Sequence, residues 1–410
     1  MSRSPEPTRS GSPSGPSSTS PTGPPGLSEE DLVAVTPRLR LLASAAKASR
    51  IPYEIDHSEH YKLLVRAVSN LLSTELALFT FAQIIDGLPT ADVAWDRRYP
   101  GLSGAHPIEE HEDICPGVLE RARRFRADFD PGILSFDPKP LRAFRKAAPG
   151  SRLFNTRLIE LAAVAMHQIG TLLFQLELRM HDGDIERISQ WSEESPGGER
   201  GLPLRPTLFS HHGYLDHDVY PDGVADVVGY WAEDRILGGV AVFDRASEQL
   251  APQFPPNVYF HSCRQRATHR YYQLRDDQQQ ALLDFLLAEN PAPSAAPIPI
   301  LADDGNVVRV DQEQALVRQL YRDVWERKPP TREYLKLVSS RPRSTVDYPE
   351  YKAFIKHINT LPTSTIHCPP VPRASATSST SDHGVEGGDA GGSTEGERKR
   401  KREDSQDGQT

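Results

Sequence analysis

The centre of the fold is marked by the stretch Asp226-Val-Val-Gly-Tyr-Trp-Ala-Glu-Asp-Arg-Ile-Leu-Gly-Gly-Val-Ala-Val-Phe-Asp-Arg245. Apart from the charged triplet Glu233-Asp-Arg235 in its middle, the stretch is apolar or small at nearly every position. A strand with one solvated face alternates between apolar and polar residues, so the lack of alternation indicates burial on both faces. The stretch therefore predicts two strands, Asp226–Ala232 and Ile236–Phe243, joined as a hairpin at the charged triplet.

Further segments extend this hairpin into an antiparallel sheet with helices. Strands are predicted at Asn257–His261 and Arg270–Leu274, and a helix is predicted to begin at Asp276. The turn sequence Asp-Asp-Gly-Asn predicts a second hairpin, with arms at Ile298–Ala302 and Val307–Val310. Gly238 and Gly239 are assigned to the interior of a strand, where they allow a neighbouring backbone to pack closely.

The first half of the chain is predominantly helical by its apolar spacing. Its longest helix is predicted from Leu153 to Met180 and is apolar enough for a membrane span to be considered. At 100° per residue, however, one stripe of the helix is polar, which favours a helix of a soluble protein that is buried on most sides. The stripe is either the solvated face of the helix or the lining of a pocket, and it comprises Arg157, Glu160, His167, Gln168, Thr171, Gln175 and Arg179.

The composition indicates a folded middle between two disordered ends. The chain has 410 residues, of which only 37% are hydrophobic, whereas Pro (36) and Gly (28) are frequent. We predict an α+β fold in which a helical N-terminal half (28–190) packs on a C-terminal half (205–361) with an antiparallel sheet and helices. Residues 1–27 and 363–410 are predicted to be disordered tails, because they cannot bury enough surface to offset chain entropy.

The charge and the cysteines limit the class of partner and the compartment. A net charge of −9 disfavours direct binding of nucleic acid or of an anionic membrane. The three cysteines, Cys115, Cys263 and Cys368, are odd in number and far apart, which favours a reducing compartment over a disulfide scaffold. The segment Met1–Pro5 has no apolar core, so no signal peptide is expected.

The tails carry two candidate regulatory features. The first is a basic run of the type that an import receptor binds, which predicts localisation in the nucleus, or otherwise in the cytoplasm. The run consists of Arg398, Lys399, Arg400, Lys401 and Arg402, and the alternative is a solvated charge run without a receptor. The second is a set of serines before proline, Ser4, Ser12 and Ser20, which suit a proline-directed kinase or occur by chance in a Ser/Pro-rich tail.

Two segments are dense in residues that can bind a metal. His211, His212, Asp216 and His217 offer imidazole nitrogen and carboxylate oxygen, although their spacing matches no helical pair. The alternative is a polar surface loop that leads into the sheet. The segment from His106 to Cys115 is the second dense group, with an acidic exposed loop as its alternative.

Other residues are candidates for a pocket between the two halves. Glu160 and His167 lie two turns apart on the polar stripe of the long helix. His261 and Cys263 point to the same face of a predicted strand, but the sequence names no orienting acid or oxyanion donors for a Cys–His nucleophile. The alternative is a buried cysteine beside a hydrogen-bonded histidine.

A resemblance covers roughly the second half of the chain. The segments Asp226–Arg245, Val258–Ser262 and Tyr321–Arg327 resemble recurring segments of a group of uncharacterised filamentous-fungal proteins. The resemblance implies no activity, cofactor or catalytic residue. It implies a eukaryotic cell, in which a nuclear import signal has meaning.

Two functions follow as hypotheses. The first is a nuclear, non-enzymatic interaction or regulatory protein, because the chain has a basic run and lacks phosphate-binding loops, nucleophile elbows and His-Glu-x-x-His motifs. The alternative is an enzyme or small-molecule binder with a His/Asp-lined, metal-dependent site between the two halves. The sequence identifies no cofactor and no partner other than an import receptor.

Overall fold

The stretch at 226–245 forms a helix followed by a strand in a computed structural model of the chain. The helix spans Val224–Leu237 and the strand Val240–Asp244, so the prediction of a strand at Asp226–Ala232 is wrong. Gly238 ends the helix with a φ of +105°, the left-handed conformation that glycine adopts beyond a helix C-terminus. A helix buried on all sides and a strand buried on both faces are equally apolar, which explains the wrong assignment.

The structure describes residues 50–52, 58–97, 105–191, 205–250, 256–326 and 344–360. Those of the described residues that lie before or at Ile358 belong to one compact unit. The helices are α1 (Glu59–Ser73), α2 (Glu75–Asp86), α3 (Ala91–Trp95), α4 (Val118–Asp128), α5 (Pro138–Lys146), α6 (Arg152–Gln175), α7 (Ile185–Ser189), α8 (Val224–Leu237), α9 (Arg245–Leu250), α10 (Asp276–Leu287), α11 (Gln312–Arg318) and α12 (Glu350–Thr360). The strands are β1 (Ile51–Pro52), β2 (Ser135–Phe136), β3 (Val240–Asp244), β4 (Val258–His261), β5 (Tyr271–Gln273), β6 (Arg309–Val310) and β7 (Leu320–Tyr321). The predicted disordered tails, with their serines and basic run, lie outside the described residues.

The larger sheet has five antiparallel strands in the order β6-β5-β4-β3-β7. The predictions of β4, β5 and α10 are confirmed, and so is the α+β fold class. In the predicted second hairpin only Arg309–Val310 is a strand, so the strand expected at Ile298–Ala302 is wrong. Burial of β3 on both faces is confirmed, since Ala241 and Phe243 belong to one apolar cluster and Val240 and Val242 to another.

Helices α6 and α8 pack closely against each other and join the two predicted halves. Gly229 of α8 makes this possible, because a Cβ there would lie 2.5 Å from the Thr171 hydroxyl and 2.8 Å from the His167 carbonyl oxygen of α6. The polar residues 157–171 of α6 are therefore buried, and the interpretation of this part of the stripe as a solvated face is wrong. Helix α6 is long and apolar enough to span a membrane, and 83% of its most apolar window is buried in the protein.

Short turns and caps hold the ends of helices α2 and α6 together. Gly87 ends α2 in the left-handed conformation. The backbone N–H groups of Met180 and His181, just after α6, donate to the carbonyl oxygens of Ile85 and Asp86 at 3.1 and 2.8 Å. Two helix ends that are far apart in the sequence are thus fixed side by side.

Candidate metal centre

The residues of the predicted histidine-rich metal site differ in burial. His211 and His212 are buried, whereas Asp216 is partly exposed and His217 is exposed. His211 accepts a hydrogen bond from the Gly213 N–H at Nδ1 and donates from Nε2 to the His261 carbonyl oxygen, at 3.0 Å each. Both ring nitrogens of His211 are therefore used by the protein. Metal binding by this set of four remains a prediction.

His211 instead joins a buried cluster with Asp234 and Cys263, whose potential ligand atoms lie within 4.8 Å of one another. The Cys263 thiol donates to Asp234 Oδ2 and the Cys263 N–H to Asp234 Oδ1, each at 3.3 Å. Burial lowers the pKa of His211 to about 3, and burial together with Asp234 raises the pKa of Cys263 well above its usual range. The cluster consequently holds a neutral imidazole and a protonated thiol, which is a poor start for a nucleophile.

The predicted pocket residues lie in separate places. His167 is buried between α6 and α8, with Nε2 2.9 Å from Asp226 Oδ1. The His261 ring is stacked on Tyr271 at a centroid distance of 4.2 Å and lies beside the His211 ring at 4.8 Å. Glu160 lines a cleft of about 140 Å³ together with Arg157, Arg245, Glu248 and Trp325, among others.

Ion pairs neutralise the charge inside this cleft. Burial alone would raise the pKa of Glu160, but Arg245 and Arg157 lower it to about 2, and Arg245 Nη2 lies 2.6 Å from Glu160 Oε1. The Glu160 carboxylate therefore stays ionised at neutral pH and paired with guanidinium groups. Such a residue stabilises a charge network and does not act as a general acid or base near pH 7.

A second group of potential ligands lies at the paired ends of α2 and α6. Asp86, His111, Cys115 and His181 each place one ligand atom within 4.8 Å of all the others. Asp86 is the last residue of α2, His111 follows the 3₁₀ helix Pro107–Glu110, Cys115 precedes α4, and His181 follows α6. Three separate parts of the chain thus converge on one point.

The distances in this group suit direct coordination of one ion. His111 Nε2 lies 3.0 Å from Asp86 Oδ2, and Cys115 Sγ lies 3.3 Å from His181 Nδ1. The rings of His111 and His181 are edge-on at a centroid distance of 4.8 Å. Ligand atoms around a tetrahedral zinc ion, bound at about 2.0–2.3 Å, are about 3.3–3.8 Å apart, so only small movements would close the site.

Part of the hydrogen-bonding capacity of this group is unused by the protein. Asp86 is fully buried, and its Oδ1 has no hydrogen-bond partner; its Oδ2 accepts from the Cys115 N–H at 3.3 Å. The contact of His111 Nε2 with Asp86 does not have hydrogen-bond geometry, so this nitrogen also lacks a partner. A buried carboxylate oxygen without a donor costs free energy, and a cation bound at the four residues would remove that cost at Asp86 Oδ1.

The chemistry of the ligands favours zinc. One thiolate, two imidazoles and one carboxylate form a mixed sulfur, nitrogen and oxygen set that zinc accepts in tetrahedral geometry. Burial and His111 lower the pKa of His181, which keeps its imidazole in the neutral form that binds metals. Burial raises the pKa of the Cys115 thiol, and Asp86 raises it further. A bound ion would reverse this effect and hold Cys115 as a thiolate.

The sequence identified half of this centre. His111 and Cys115 belong to the second dense group of potential ligands, from His106 to Cys115. Asp86 and His181 were missed, since each is the polar residue beside a helix end and neither lies near the other ligands in sequence. The shared feature is a following glycine turn, Asp86-Gly87 and His181-Asp-Gly183, which marks helix ends but not a ligand.

Comparison of the chain with protein-family models, with curated proteins and with solved structures finds no match. The chemistry of the chain is therefore inferred from the geometry of its own residues. Among the described residues, the Asp86 group and the His211 cluster are the two sets that place three or more potential ligands together.

Proposed function

We propose that the chain is a zinc-stabilised interaction protein in which Asp86, His111, Cys115 and His181 bind one Zn²⁺. The observation that carries the proposal is the convergence of four ligand atoms, one of them on a fully buried carboxylate with an oxygen that lacks a partner. A bound ion would tie the loop before α4 to the ends of α2 and α6.

Four protein ligands favour a structural role of the ion over a catalytic one. Structural zinc sites are closed by four protein ligands, whereas catalytic sites use three and leave one position for water. The surrounding backbone hydrogen bonds from Met180 and His181 to α2 also indicate a position that is built for stability. This supports the non-enzymatic function that the sequence predicts.

The alternative is a metal-dependent enzyme at the same centre. Cys115 and His181 are only partly buried, so a small molecule can approach one side of the group. If Asp86 were displaced from the ion, three ligands and one water would remain, as in hydrolytic zinc sites. X-ray absorption at the zinc edge distinguishes the two: four protein ligands support the structural role, and three with one water support the enzyme.

Metal content is the direct test of zinc binding. Elemental analysis of the purified full chain is expected to give roughly one zinc per chain, as for a single closed site. Cys115→Ser is expected to lose most of this zinc. The matched control is His217→Ala, which removes an exposed histidine outside the group and should keep the zinc. Zinc-free wild-type protein from zinc-supplied cells, or equal loss in both variants, would contradict the proposal.

We further propose that the protein acts in the nucleus and is carried there by an import receptor bound to Arg398–Arg402. The proposal rests on five consecutive cations and on the resemblance to fungal proteins. Replacing the five residues by Gln should move a fluorescent fusion from the nucleus to the cytoplasm. The control replaces two exposed cations of α4, Arg123 and Arg124, and should leave localisation unchanged. Nuclear accumulation of both variants would contradict the proposal.

A further inference from the structure

The cleft that contains Glu160 shares no residue with the metal centre. Its walls come from the start of α5, from α6, from α9 and from the segment that follows β7, among others. Its volume is about 140 Å³. A protein cavity of about 150 Å³ holds one benzene ring, so this cleft has the size that takes a small molecule with a single ring.

One face of α6 gives the cleft a charged end and an apolar end. Four residues of this helix line the cleft at the spacing i, i+3, i+4 and i+7, which places them on one face: Arg157, Glu160, Leu161 and Val164. At a rise of 1.5 Å per residue, Val164 lies about 10 Å further along the helix than Arg157. A ligand with one charged end and one apolar end therefore matches this wall.

The buried polar atom that is left without a partner in the wall is a donor. The Arg157 side chain is 2% exposed, and its two terminal nitrogens donate to Glu160 and Glu248. Its Nε has no hydrogen-bond partner. Among the described residues that line the cleft, no carboxylate has a buried oxygen in the same condition. The group that the wall lacks is therefore an acceptor.

Most carboxylates of the cleft already have cationic partners. Arg157 and Arg245 both pair with Glu160. The same two arginines pair with Glu248. Asp323 pairs with the arginine before it at 3.1 Å. A cationic ligand would have to compete with these guanidinium groups, which disfavours an amine as the occupant.

Two cations of the cleft are less fully paired. Arg50 makes no hydrogen bond or ion pair with any residue in the part of the chain that the structure describes. Its charge helps to lower the pKa of Asp226, but that carboxylate is paired with His167. Lys139 is 74% exposed and makes one ion pair, at 3.9 Å. The remaining acid, Asp137, caps α5 by accepting from the Lys139 N–H at 2.6 Å. The balance favours an anionic ligand.

We infer that the cleft binds a small monocarboxylate whose apolar body has the size of one ring. The carboxylate accepts from Arg157 Nε and from Arg50, because hydrogen bonds between guanidinium and carboxylate groups are strong. The apolar body packs toward Leu161 and Val164 and removes apolar surface from water. A binding site for a small molecule goes beyond the proposed structural role of zinc and does not depend on it.

Calorimetric titration of the full chain with phenylacetate tests the inference. Phenylacetate should bind at one saturable site. Acetate lacks the ring, and 2-phenylethylamine carries a cation in place of the carboxylate. Each of these two should bind at least about ten-fold more weakly, since each loses one half of the recognition.

Two variants locate the binding in the cleft. Arg50→Gln should weaken phenylacetate binding about five-fold without lowering the melting temperature, because this cation has no ion pair to lose. Val164→Phe fills the apolar end from a partly exposed position and should abolish binding. The matched controls are Arg124→Gln on α4 and Val317→Phe on α11, which change exposed residues outside the cleft and should keep the affinity of wild type.

Three results would overturn the inference. The first is the absence of saturable phenylacetate binding by wild type. The second is an affinity for acetate or 2-phenylethylamine equal to that for phenylacetate, since the cleft would then not recognise a carboxylate joined to a ring. The third is wild-type affinity in both Arg50→Gln and Val164→Phe, which would place the ligand elsewhere, including at the zinc ion.

Discussion

The Asp86 group and the His211 cluster contain the same kinds of residue but differ in what their polar atoms do. Both combine imidazole, thiol and carboxylate within 4.8 Å. In the His211 cluster both ring nitrogens of His211, the Cys263 thiol and both Asp234 carboxylate oxygens make hydrogen bonds within the protein. In the Asp86 group, Asp86 Oδ1 and His111 Nε2 lack partners.

The hydrogen bonds that the protein itself makes to a buried polar atom therefore distinguish a polar residue of the core from a potential metal ligand. A buried polar group needs a partner, and in the His211 cluster the protein supplies it. In the Asp86 group, Asp86 Oδ1 and His111 Nε2 lack such a partner, and a cation is the group that satisfies a carboxylate, a thiolate and two imidazoles at once. Composition and spacing alone do not separate the two cases.

The largest expected effect is the loss of stability when the metal is removed. Chelation of wild-type protein, or Cys115→Ser without chelator, should lower the free energy of unfolding by about 3–5 kcal/mol, since either change removes the bound ion and leaves Asp86 Oδ1 buried without a hydrogen-bond partner. Cys263→Ser removes a thiol of the other cluster and should cost about 1 kcal/mol, with no added effect of zinc. Urea unfolding with and without zinc measures both, and an equal zinc response in Cys115→Ser and wild type would contradict the account.

A smaller change in the free energy of unfolding is expected when a carboxylate is replaced by an amide. The change should be opposite in sign in the Asp86 group and in the His211 cluster. In metal-free protein, Asp86→Asn replaces a buried carboxylate whose Oδ1 has no hydrogen-bond partner and should leave stability unchanged or raise it by about 1 kcal/mol. Asp234→Asn weakens hydrogen bonds from Cys263 and should lower stability by about 1–3 kcal/mol. Both are compared with wild type by urea unfolding in chelator. A similar loss in both variants would show that Asp86 is partnered in the protein.

The smallest effect concerns acid sensitivity of the histidine cluster. Burial lowers the pKa values of His211, His212 and His261 below their ordinary value of 6.5. Below pH 6.5 the unfolded chain therefore binds protons that the folded cluster does not, so stability is full above this pH and falls as the pH decreases. The groups that bear on His261 are His211 and His269, which lower its pKa further, and Asp234, which raises it.

His261→Phe sharpens this pH comparison. The change keeps a ring against Tyr271 and removes one of the three titrating groups. The variant should lose about 1 kcal/mol less stability than wild type between pH 6.5 and 5.5, since one pKa unit corresponds to about 1.4 kcal/mol. Urea unfolding at the two pH values, in chelator so that the metal centre does not contribute, measures the difference. Parallel losses in the two proteins would mean that His261 titrates normally in the fold.

Much of the fold could be predicted from local patterns. Strands β4 and β5 and helix α10 follow from short apolar runs and from the acids that begin the helix. Helix α8 could not be predicted in this way, because the residues around it bury its faces. A fully buried segment lacks the polar stripe that reveals helical periodicity. Gly238, which ends α8, was a usable signal, since glycine is common beyond a helix C-terminus.

The candidate site was less predictable because it depends on long-range packing. His111 and Cys115 lie four residues apart, and the sequence indicates them as potential ligands because they belong to a segment dense in His, Glu, Asp and Cys. Asp86 and His181 meet them only because α2 and α6 end side by side, which no local pattern indicates. His217 and Asp216 are close to His211 in sequence but differ from it in burial, since His211 is buried, Asp216 is partly exposed and His217 is exposed.

Binding of the ion by Asp86, His111, Cys115 and His181 is tested by the absorption spectrum of the full chain loaded with Co²⁺ in place of zinc. Co²⁺ bound in tetrahedral geometry to one thiolate gives a sulfur-to-cobalt charge-transfer band and intense visible bands. The account predicts both in wild type and in Cys263→Ser, and their loss in Cys115→Ser. Bands that persist in Cys115→Ser but vanish in Cys263→Ser would place the ion in the other cluster and contradict the account.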